Sequence, residues 1–499
     1  MFGKFVMCAA LLFSLSSCGD GGSDGGGATS PSQPGVPPQT GGPATITSVS
    51  PAQNASVPVG PVTVSFTTQS FQIGTPGQNH LHFYLDTDPV PYRFYNGAGI
   101  NDDNGVLYNG VHTHFVHWKS ATSLDIFGLR STAHTVRLVL ADQNNVELQN
   151  SEATDTLTFS VSQPPTGNLQ LQPVINSLQF PVGLSLAPDG RVFFNELFTG
   201  TIRIINPQWQ LVNQPFCKIA ISTIGNQGLL GLTLDPNFAT NHYVYVFHTA
   251  PNPVRNRVVR YTESSGSCTQ ETPLLDGIPA NFHHNSGILQ FGPDGKLYIS
   301  TGDGDDSATS QKLTSLNGKI LRLNPDGSTP SDNPFISNAD PNAKKVFSLG
   351  HRNSFGFTFH SHTGHLWQTE NGPERNDEIN RIVAGGNYGW PTVTGIARNS
   401  NFLDPILAYT PPIAPTGIIS IPEDSTVYPL DYRNNLLFSD FNGGKIRRVV
   451  LSGADLAQVG SSSIVYTGGQ GGLLSLMVGA DGFVYASNAN TIFKVVVTP

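Results

Sequence analysis

Residues 292–300 read GPDGKLYIS, a Pro-Asp-Gly turn followed at once by a short run of β-forming residues. Glycine, proline and asparagine supply the backbone angles that such turns need. The same unit, a turn and then a short β run, recurs through the last two thirds of the chain. Its six copies are 188–190 before 192–194, 236–237 before 243–247, 293–295 before 297–300, 363–364 before 365–369, 433–435 before 436–439, and 481–482 before 483–487.

This repeat predicts the architecture of residues 168–499. Six units in about 330 residues have a mean spacing of roughly 55, which suits a four-stranded blade repeated around an axis. The alternative is an ordinary β-sandwich with several Asp-Gly turns, which six copies disfavour. We therefore expect a six-bladed β-propeller, with a site built by the longer loops on one face.

Composition agrees with an all-β chain. Among 499 residues there are 53 Gly and 37 Pro, and only 12% are charged, so turn formers are abundant and long solvent-exposed helices are disfavoured. The net charge of −9, from 26 basic and 35 acidic residues, argues against a nucleic-acid partner and against electrostatic binding to anionic lipid. A small, neutral, polar ligand is easier to accommodate.

A separate domain is predicted before the propeller. Within residues 45–163, short alternating apolar runs occur at 62–66, 81–85, 135–140 and 156–161, which indicates an immunoglobulin-like β-sandwich. The Pro-rich stretch 163–167 then acts as a linker.

Six of the fourteen histidines fall between residues 80 and 134. His80 and His82 are two apart on a predicted strand and share a face, and His112 and His114 are spaced in the same way, with His117 just beyond. Such a cluster could hold copper or zinc through imidazole nitrogens. The alternative is a set of hydrogen-bonded surface histidines.

The N-terminus has the pattern of an export signal. Residues 1–18 combine one lysine, a short apolar run and small residues before a cysteine, as secretory signals do. The sequence LSSC at 15–18 also resembles a bacterial lipobox, in which Cys18 would be lipidated; the alternative is an ordinary cleaved signal. Residues 19–44 are rich in Gly, Ser and Pro and predict a flexible tether. Gly19 after the cysteine favours an outer-membrane lipoprotein facing the periplasm or the cell surface, held to the membrane only by that anchor.

Two further cysteines, Cys217 and Cys268, remain. In an oxidising compartment they could form a disulfide. Two buried free thiols are the equal alternative, because spacing alone does not show proximity.

Six stretches of the propeller region, in order along the chain, resemble the glucose/sorbosone dehydrogenase family. Members of this family are soluble and aldose sugar dehydrogenases that use pyrroloquinoline quinone (PQQ) and calcium on a six-bladed propeller. The stretches are GLLG (228–231) with DPNF (235–238), HNSG (284–287), GKILRL (318–323), GHRN (350–353), ENGP (370–373) with DEIN (377–380), and GNYGWP (386–391).

The resemblance implies roles for individual residues. His284 occupies the place of the base that takes the hydroxyl proton, a role that suits a histidine because its ordinary pKa is near 6.5. Asp303 matches the carboxylate that orients this base, and His283 does not fit the motif. Arg352 and Asn353 match residues that contact the quinone and stabilise its reduced oxygen. The alternative for His284 is a packing role, and for Arg352 and Asn353 it is a structural contact between loops. The stretch 302–306 around Asp303 could instead be a calcium loop, although it lacks the rest of an EF-hand pattern.

Calcium sites are implied in the same way. Gly372 and Pro373 match positions whose backbone carbonyls hold calcium beside PQQ, and oxygen donors suit that ion. Glu378 and the carbonyl of Tyr388 resemble a second, structural calcium site. The alternative for Glu378 is a solvated acidic side chain.

Some family positions differ here. The family glutamine before GLLG falls on Asn226, with Gln227 one residue later. The family lysine aligns with Asn442, and the family arginines before the last turn align with the uncharged stretch 469–474. PQQ has three carboxylates that need cations if they are buried. Lys445 is the basic residue closest in sequence to Asn442 and could replace the family lysine; Arg447 and Arg448 are the next candidates.

The resulting prediction is an exported, membrane-anchored oxidoreductase that oxidises the anomeric carbon of aldose sugars to lactones, with PQQ, calcium and an external electron acceptor. The alternative is a calcium-stabilised propeller without the cofactor that binds glycans or a protein partner. A calcium-dependent lactonase is a third possibility, with no separate motif in its favour.

Overall fold

The computed structural model describes residues 42–58, 62–73, 79–86, 93–95, 100–102, 114–118, 123–127, 129, 132–144, 146–162 and 168–498, with only the backbone at 93–95, 100–102, 114–118, 125 and 127. Every strand and helix described belongs to one unit, Pro43–Pro499. The predicted signal, the tether up to residue 41, Cys18 and His112 lie outside the described residues.

The first part of this unit is a β-sandwich of two five-stranded sheets. Its strands are β1 (Thr45–Ser50), β2 (Ala55–Val57), β3 (Val62–Gln69), β4 (His80–Leu85), β5 (Arg93–Tyr95), β6 (Ile100–Asp102), β7 (His114–Trp118), β8 (Ser123–Phe127), β9 (Ala133–Ala141) and β10 (Thr154–Val161). The strand orders are β1-β3-β8-β5-β6 and β2-β10-β9-β4-β7. One buried cluster, which includes Phe66 of one sheet and Phe83 of the other, forms the core between them.

Six four-stranded sheets follow, which confirms the predicted propeller. The strands of blades one to three are β12 (Pro181–Leu186), β13 (Val192–Glu196), β14 (Thr201–Ile205) and β15 (Cys217–Lys218); β16 (Leu229–Leu234), β17 (Tyr243–Pro251), β18 (Val254–Ser264) and β19 (Ser267–Ile278); and β20 (Ser286–Phe291), β21 (Leu297–Thr301), β22 (Lys319–Leu323) and β23 (Val346–Leu349).

The strands of blades four to six are β24 (Ser354–Phe359), β25 (Leu366–Glu370), β26 (Asp377–Ile382) and β27 (Leu407–Tyr409); β28 (Pro415–Ser420), β29 (Leu436–Asp440), β30 (Lys445–Ser452) and β31 (Gln458–Thr467); and β32 (Ser475–Val478), β33 (Val484–Ser487) and β34 (Ile492–Val497), joined by β11 (Leu169–Ile175). Blade six therefore contains the first and the last strand of the propeller, and β11 pairs antiparallel with β34.

The innermost strand of each blade contacts that of the next, and β32 contacts β12, so the ring is closed. These six strands, β12, β16, β20, β24, β28 and β32, line a central channel with a cavity of about 320 Å³. All six turns of the repeat connect the first strand of a blade to its second. Because these strands are antiparallel, the start of each first strand and the end of each second strand meet at the opposite face. Most of the predicted site residues lie there.

Short helices and one disulfide complete the described structure. The helices are α1 (Phe238–Asn241) and the 3-10 turns Ser151–Ala153, Ser307–Gln311, Ala343–Lys345 and Leu430–Tyr432. Cys217 on β15 and Cys268 on β19 form a disulfide with a Cα–Cα distance of 5.3 Å, which joins the outer strands of blades one and two. Within the described residues, no helix has the length and apolar character needed to cross a membrane.

Candidate active site

A histidine–carboxylate pair lies where β20 begins and β21 ends. The Nδ1 atom of His284 is 2.7 Å from Oδ1 of Asp303. The other carboxylate oxygen of Asp303 accepts a hydrogen bond of 2.9 Å from the indole Nε1–H of Trp390. Asp303 is 2% exposed and His284 is 19% exposed. Because Nδ1–H is donated to a buried carboxylate, the Nε2 atom of neutral His284 carries the lone pair and can accept a proton.

The backbone around this pair is tightly constrained. His284 has a positive φ of 53°, an uncommon conformation for a residue with a side chain. A Cβ atom on Gly302 would lie 1.9 Å from the carbonyl oxygen of His284, so only glycine permits the approach of the two loops. The amide of Gly304 then donates to the carbonyl of His284, and that of Asp303 donates to the carbonyl of Arg352. The geometry of the pair is therefore fixed by backbone contacts between blades three and four.

Arg352 supplies a half-buried cation next to the pair. Its guanidinium donates from Nη1 to the carbonyl of Asn371 over 2.9 Å and lies 5.4 Å from the ring centroid of Trp390. Its backbone amide donates to the carboxylate of Glu370. Burial lowers the pKa of Arg352, while the charges of Asp303 and Glu370 oppose that shift. The Nε atom is buried and has no hydrogen-bond partner, which leaves a donor for an acceptor that the protein itself does not provide.

The predicted amide side chains take different positions. Asn226 accepts a hydrogen bond from Asn285 over 2.8 Å and lines the mouth of the central channel. Gln227 is turned away from it, since its amide binds the hydroxyl of Ser222 at 2.5 Å and the carbonyl of Asn281 at 2.9 Å. Asn353 accepts from the hydroxyl of Ser286 over 3.1 Å, an interaction that links β20 to the loop before β24.

We use the name channel-mouth pocket for a cavity of about 310 Å³ that shares residues with the central channel. Its lining is Phe180, Val182, Leu197, Phe198, Asn226, Leu230, Ser286, Ile288, Phe355, Asn371, Ala414, Thr416, Phe441 and Leu474. Among these described residues there is no charged side chain. Leu474 and Phe441 lie in the two segments where the family resemblance leads one to expect basic residues. The lining is therefore uncharged, and four of its residues are phenylalanines.

The three basic residues of β30 are not equally available. Arg447 donates to the buried carboxylate of Asp440 over 2.8 Å, and Arg448 donates to Asp431 over 2.6 Å. Lys445 forms no ion pair with any described residue, and its stem packs close to Gly443. It does not line the channel-mouth pocket, whereas Arg352 interacts electrostatically with Asp303 of the histidine–carboxylate pair.

The loop between β25 and β26 presents the predicted calcium ligands. The carboxylate of Asp377 accepts the amide of Gly372 at 2.8 Å and the amides of Ile413 and Ala414 at 2.6 and 2.7 Å. These bonds fix the loop, whereas the carbonyl oxygens of Gly372 and Pro373 accept no hydrogen bond from any described group. Fixed, unpaired carbonyls are the kind of donor that calcium takes.

The second predicted calcium position is a buried acidic group. Glu378 accepts the amide of Gly395 at 2.6 Å and the Asn380 side chain at 3.1 Å. Burial, followed by the charge of Glu370, raises the pKa of Glu378 to about 7. The Oδ1 atom of Asn380 is buried without a partner. Tyr388 stacks on His351 with 4.9 Å between ring centroids, and its hydroxyl donates to the carbonyl of Arg381.

No cluster of three or more His, Cys, Asp or Glu side chains suited to a metal occurs among the residues that the structure describes. Any calcium at either predicted position would therefore depend on backbone carbonyls or amide oxygens as well as carboxylates.

Two contributors to the site were not assigned from the sequence. Trp390 anchors Asp303 from 87 positions further along the chain, and Glu370 binds both the amide of Arg352 and Nδ1 of His351, the latter at 3.0 Å. Both residues lie inside motifs quoted above, but only the packing of blades three and four shows what their side chains contact.

Comparisons with known proteins show the family of this chain. The model of the "Glucose / Sorbosone dehydrogenase" family matches residues 178–494, well over half of the chain. The protein belongs to this family of β-propeller proteins.

Two curated relatives and one solved structure illustrate the similarity. Quinoprotein glucose dehydrogenase B from Acinetobacter calcoaceticus is 36% identical over 266 residues, 47% of this chain and 55% of the relative. Aldose sugar dehydrogenase YliI from Escherichia coli K12 is 30% identical over 253 residues, 48% of this chain and 66% of the relative. The PQQ-bound aldose sugar dehydrogenase of Streptomyces coelicolor superposes with a TM-score of 0.58 at 27% identity, covering 68% of this chain and all of that one.

Proposed function

We propose that this protein is a PQQ-linked oxidoreductase that converts an aldose to its lactone and passes the electrons to an external acceptor. The observation that carries the proposal is the hydrogen-bonded series Trp390–Asp303–His284 at the start of β20. The relatives described above, which include quinoproteins and aldose sugar dehydrogenases, support the same class of reaction.

The residues present fit the reactive end of the cofactor. The unpartnered Nε of Arg352 would donate to a quinone oxygen, and the aromatic walls of the channel-mouth pocket suit a flat ring system. The carbonyls of Gly372 and Pro373 would hold a calcium ion beside it. Lys445 would need to approach from outside the pocket lining to neutralise a carboxylate, so we expect weak binding of PQQ.

When bound, PQQ would accept the two electrons and the hydrogen that leave the anomeric carbon. The protein supplies the other half of the chemistry. Nε2 of His284 takes the proton of the anomeric hydroxyl, and Asp303 stabilises the imidazolium that results. Trp390 holds Asp303 in place, so that the imidazole keeps one orientation. Arg352, fixed by the carbonyl of Asn371, stabilises negative charge that develops opposite the base.

Location and anchoring form part of the proposal. The signal-like residues 1–18 and the Gly/Ser-rich stretch 19–44 support an exported lipoprotein attached through Cys18. Expression in a bacterial host with radiolabelled palmitate should label the wild type and not Cys18→Ser. Labelling of both, or of neither, would contradict lipidation at this cysteine.

The central test compares two adjacent histidines. Purified protein is incubated with PQQ and Ca²⁺, and dye reduction is measured with a panel of aldoses. His284→Gln should lower kcat by about 10²- to 10⁴-fold because the base is lost. His283→Gln is the matched control, since that ring is 58% exposed and pairs with Asp305 instead; its activity should stay near wild type.

Turnover that is equal in both variants would overturn the role of His284. A neutral pocket lining also favours the second function, a propeller that binds a glycan or a protein without the cofactor. Absence of turnover with every aldose, together with no PQQ binding by fluorescence or absorbance titration, would contradict the oxidoreductase. Retained calcium binding in the same protein would then favour the alternative.

A further inference from the structure

Lys319, the first residue of β22, is a fully buried lysine. Its Nζ atom donates to the carbonyl oxygens of Thr309, Ser310 and Asn317 over 2.8, 3.1 and 2.7 Å. An ammonium carries three hydrogens, so each of them has an acceptor. Within the described residues, no carboxylate forms an ion pair with this group. A fully buried lysine is rare without such a partner, so the three carbonyl contacts indicate a specific role.

The ammonium joins two parts of the loop between β21 and β22. Thr309 and Ser310 belong to the 3-10 turn Ser307–Gln311, which we call the loop turn, and Asn317 lies just before β22. A single cation therefore fixes the loop turn to the start of β22. A neutral apolar side chain of similar length would leave the three carbonyls without this donor.

The loop turn is bonded to the segment that carries Trp390. Gln311 donates from Nε2 to the carbonyl of Trp390 over 2.8 Å, and its Oε1 atom accepts the side-chain amide of Asn387 over 2.8 Å. The indole of Trp390 donates to Asp303, whose other carboxylate oxygen faces His284. A continuous series of contacts therefore connects the buried ammonium to the candidate base.

A second bond from the loop turn leads to Arg352. The hydroxyl of Ser310 donates to the carbonyl of His351 over 2.7 Å, and the amide of Gly350 donates to the carbonyl of Ser310 over 3.0 Å. His351 directly precedes Arg352, the cation next to the histidine–carboxylate pair. A shift of the loop turn would therefore displace the main chain at two segments of the site.

We propose that Lys319 is a positioning residue for the candidate active site, which acts through the loop turn on Trp390 and thereby on Asp303 and His284. In the proposed reaction its ammonium contacts neither the substrate nor the reacting atoms; it fixes the backbone that presents them. A cation suits this task because hydrogen bonds from a charged donor are stronger than those from a neutral one. The inference rests on the proposed function where it concerns turnover, and on the structure alone where it concerns the position of Trp390.

The first test needs no turnover. The four tryptophans of the chain give four indole N–H signals in a proton–nitrogen NMR spectrum, and Trp390→Phe identifies the signal of Trp390. In Lys319→Met, hydrogen exchange of this indole should be about 10-fold faster or more, because its bond to Asp303 is held less firmly. The indole of Trp367, which is fully buried in blade four, reports any general loss of stability. The ratio of the two exchange rates should therefore rise in Lys319→Met.

The second test measures steady-state kinetics with PQQ, Ca²⁺ and an aldose. Lys319→Met should lower kcat by about 10-fold and leave KM near wild type, because no contact with the substrate is removed. In the Trp390→Phe background most of that loss should be absent, since both substitutions act on the same contact. Lys296→Met is the matched control. This lysine of blade three donates to Asn324 over 2.7 Å at the face of the turns, so its loss should change neither kcat nor the exchange ratio.

If Lys319→Met does not unfold cooperatively, Gln311→Ala carries both tests, because it interrupts the same series of contacts at the bond to Trp390. An unchanged exchange ratio in the folded variant would overturn the proposal, as would a loss of kcat that is equal with and without Trp390. A wild type that oxidises no aldose would contradict the proposed function, and the exchange ratio would still decide the role of Lys319.

Discussion

Trp390 donates its indole N–H to the oxygen of Asp303 that does not contact His284. The ring also stacks near the guanidinium of Arg352. One side chain therefore holds the carboxylate that pairs with His284 and also borders the guanidinium of Arg352. In the proposed reaction Trp390 is a positioning residue, because it contacts Asp303 and Arg352 and not the reacting atoms.

Trp390→Phe keeps an aromatic ring and removes the donor. We expect kcat to fall by about 10-fold, because the imidazole loses part of its fixed orientation. Freed from Trp390, Asp303 should interact more strongly with imidazolium, so the acid limb of kcat/KM should move to higher pH. A steady-state pH profile measures both effects. A lower kcat with an unchanged profile would reduce Trp390 to a packing role.

His248 is a buried histidine that the proposed chemistry does not use. It lies on β17, and both of its ring nitrogens are buried without hydrogen-bond partners. Burial, with the charge of Arg257 as the second cause, lowers its pKa to about 4. The unfolded chain should protonate this ring near pH 6.5, so the unfolded state binds more protons than the folded state between these values.

This difference in bound protons sets the direction in which stability changes with pH. The folded state should lose about 2 kcal/mol of stability through His248 as the pH falls from 7 to 5. His248→Gln should show a smaller loss over the same interval. Urea unfolding at pH 7 and pH 5 gives the comparison; an identical loss in both proteins would exclude His248 as the cause.

At this scale the sequence indicates the chemistry of the site but not its contacts. The motif HNSG predicts His284 as the base, and the structure places a carboxylate 2.7 Å from its ring. Nothing local in the sequence shows that Gln227 turns inward to Ser222 while its neighbour Asn226 lines the pocket. Such choices depend on loops from different blades.

Among the secondary-structure elements, the first strand of each blade matters most for the candidate site, because several site residues lie just before these strands. The residues just before β16, β20 and β24 include Asn226, His284 and Arg352, so three blades deliver side chains to one face. The repeat of turns was visible in the sequence because each turn is local. The side-chain contacts on the face opposite those turns could not be predicted in the same way. The residues of that face are distant in sequence and meet only when the ring closes.

The disulfide between β15 and β19 links two blades at their outer edges. Cys217→Ser with Cys268→Ser should lower the free energy of unfolding by about 4 kcal/mol, since the unfolded chain regains the freedom of a loop of roughly 50 residues. Denaturant unfolding of both proteins, with and without reductant, checks this. Reductant should destabilise the wild type alone; equal stability under oxidising conditions would mean that the bond contributes nothing.

For the whole molecule, the net charge of −9 and the neutral channel-mouth pocket make an anionic cofactor hard to hold. Leu474→Arg would place a cation in the pocket wall. We expect its Kd for PQQ to fall by about 10-fold or more through a charge-assisted contact, with a steeper dependence on salt. Fluorescence titration measures both, and Leu474→Gln is the uncharged control.

If Leu474→Arg and Leu474→Gln bind PQQ equally, the lack of positive charge in the pocket does not limit binding.

The overall architecture was predictable from the sequence: turns, spacing and six ordered motifs indicated a six-bladed propeller with a β-sandwich before it, and both are confirmed. The affinity for the cofactor could not be predicted from the sequence. It depends on the summed charge of the residues that line the cavity, and these residues come from many separate parts of the chain.

The pairing of β11 with β34 has a consequence for the order of folding. Until β34 has been synthesised, β11 lacks the strand with which it pairs, so blade six cannot be completed. Blades one to five can form hairpins early, but the channel and everything at its mouth must be assembled last. Termination of translation a few codons before residue 497 would truncate β34, the strand that pairs with β11. The channel-mouth pocket would then lose structural support, although β34 contributes no side chain to its lining.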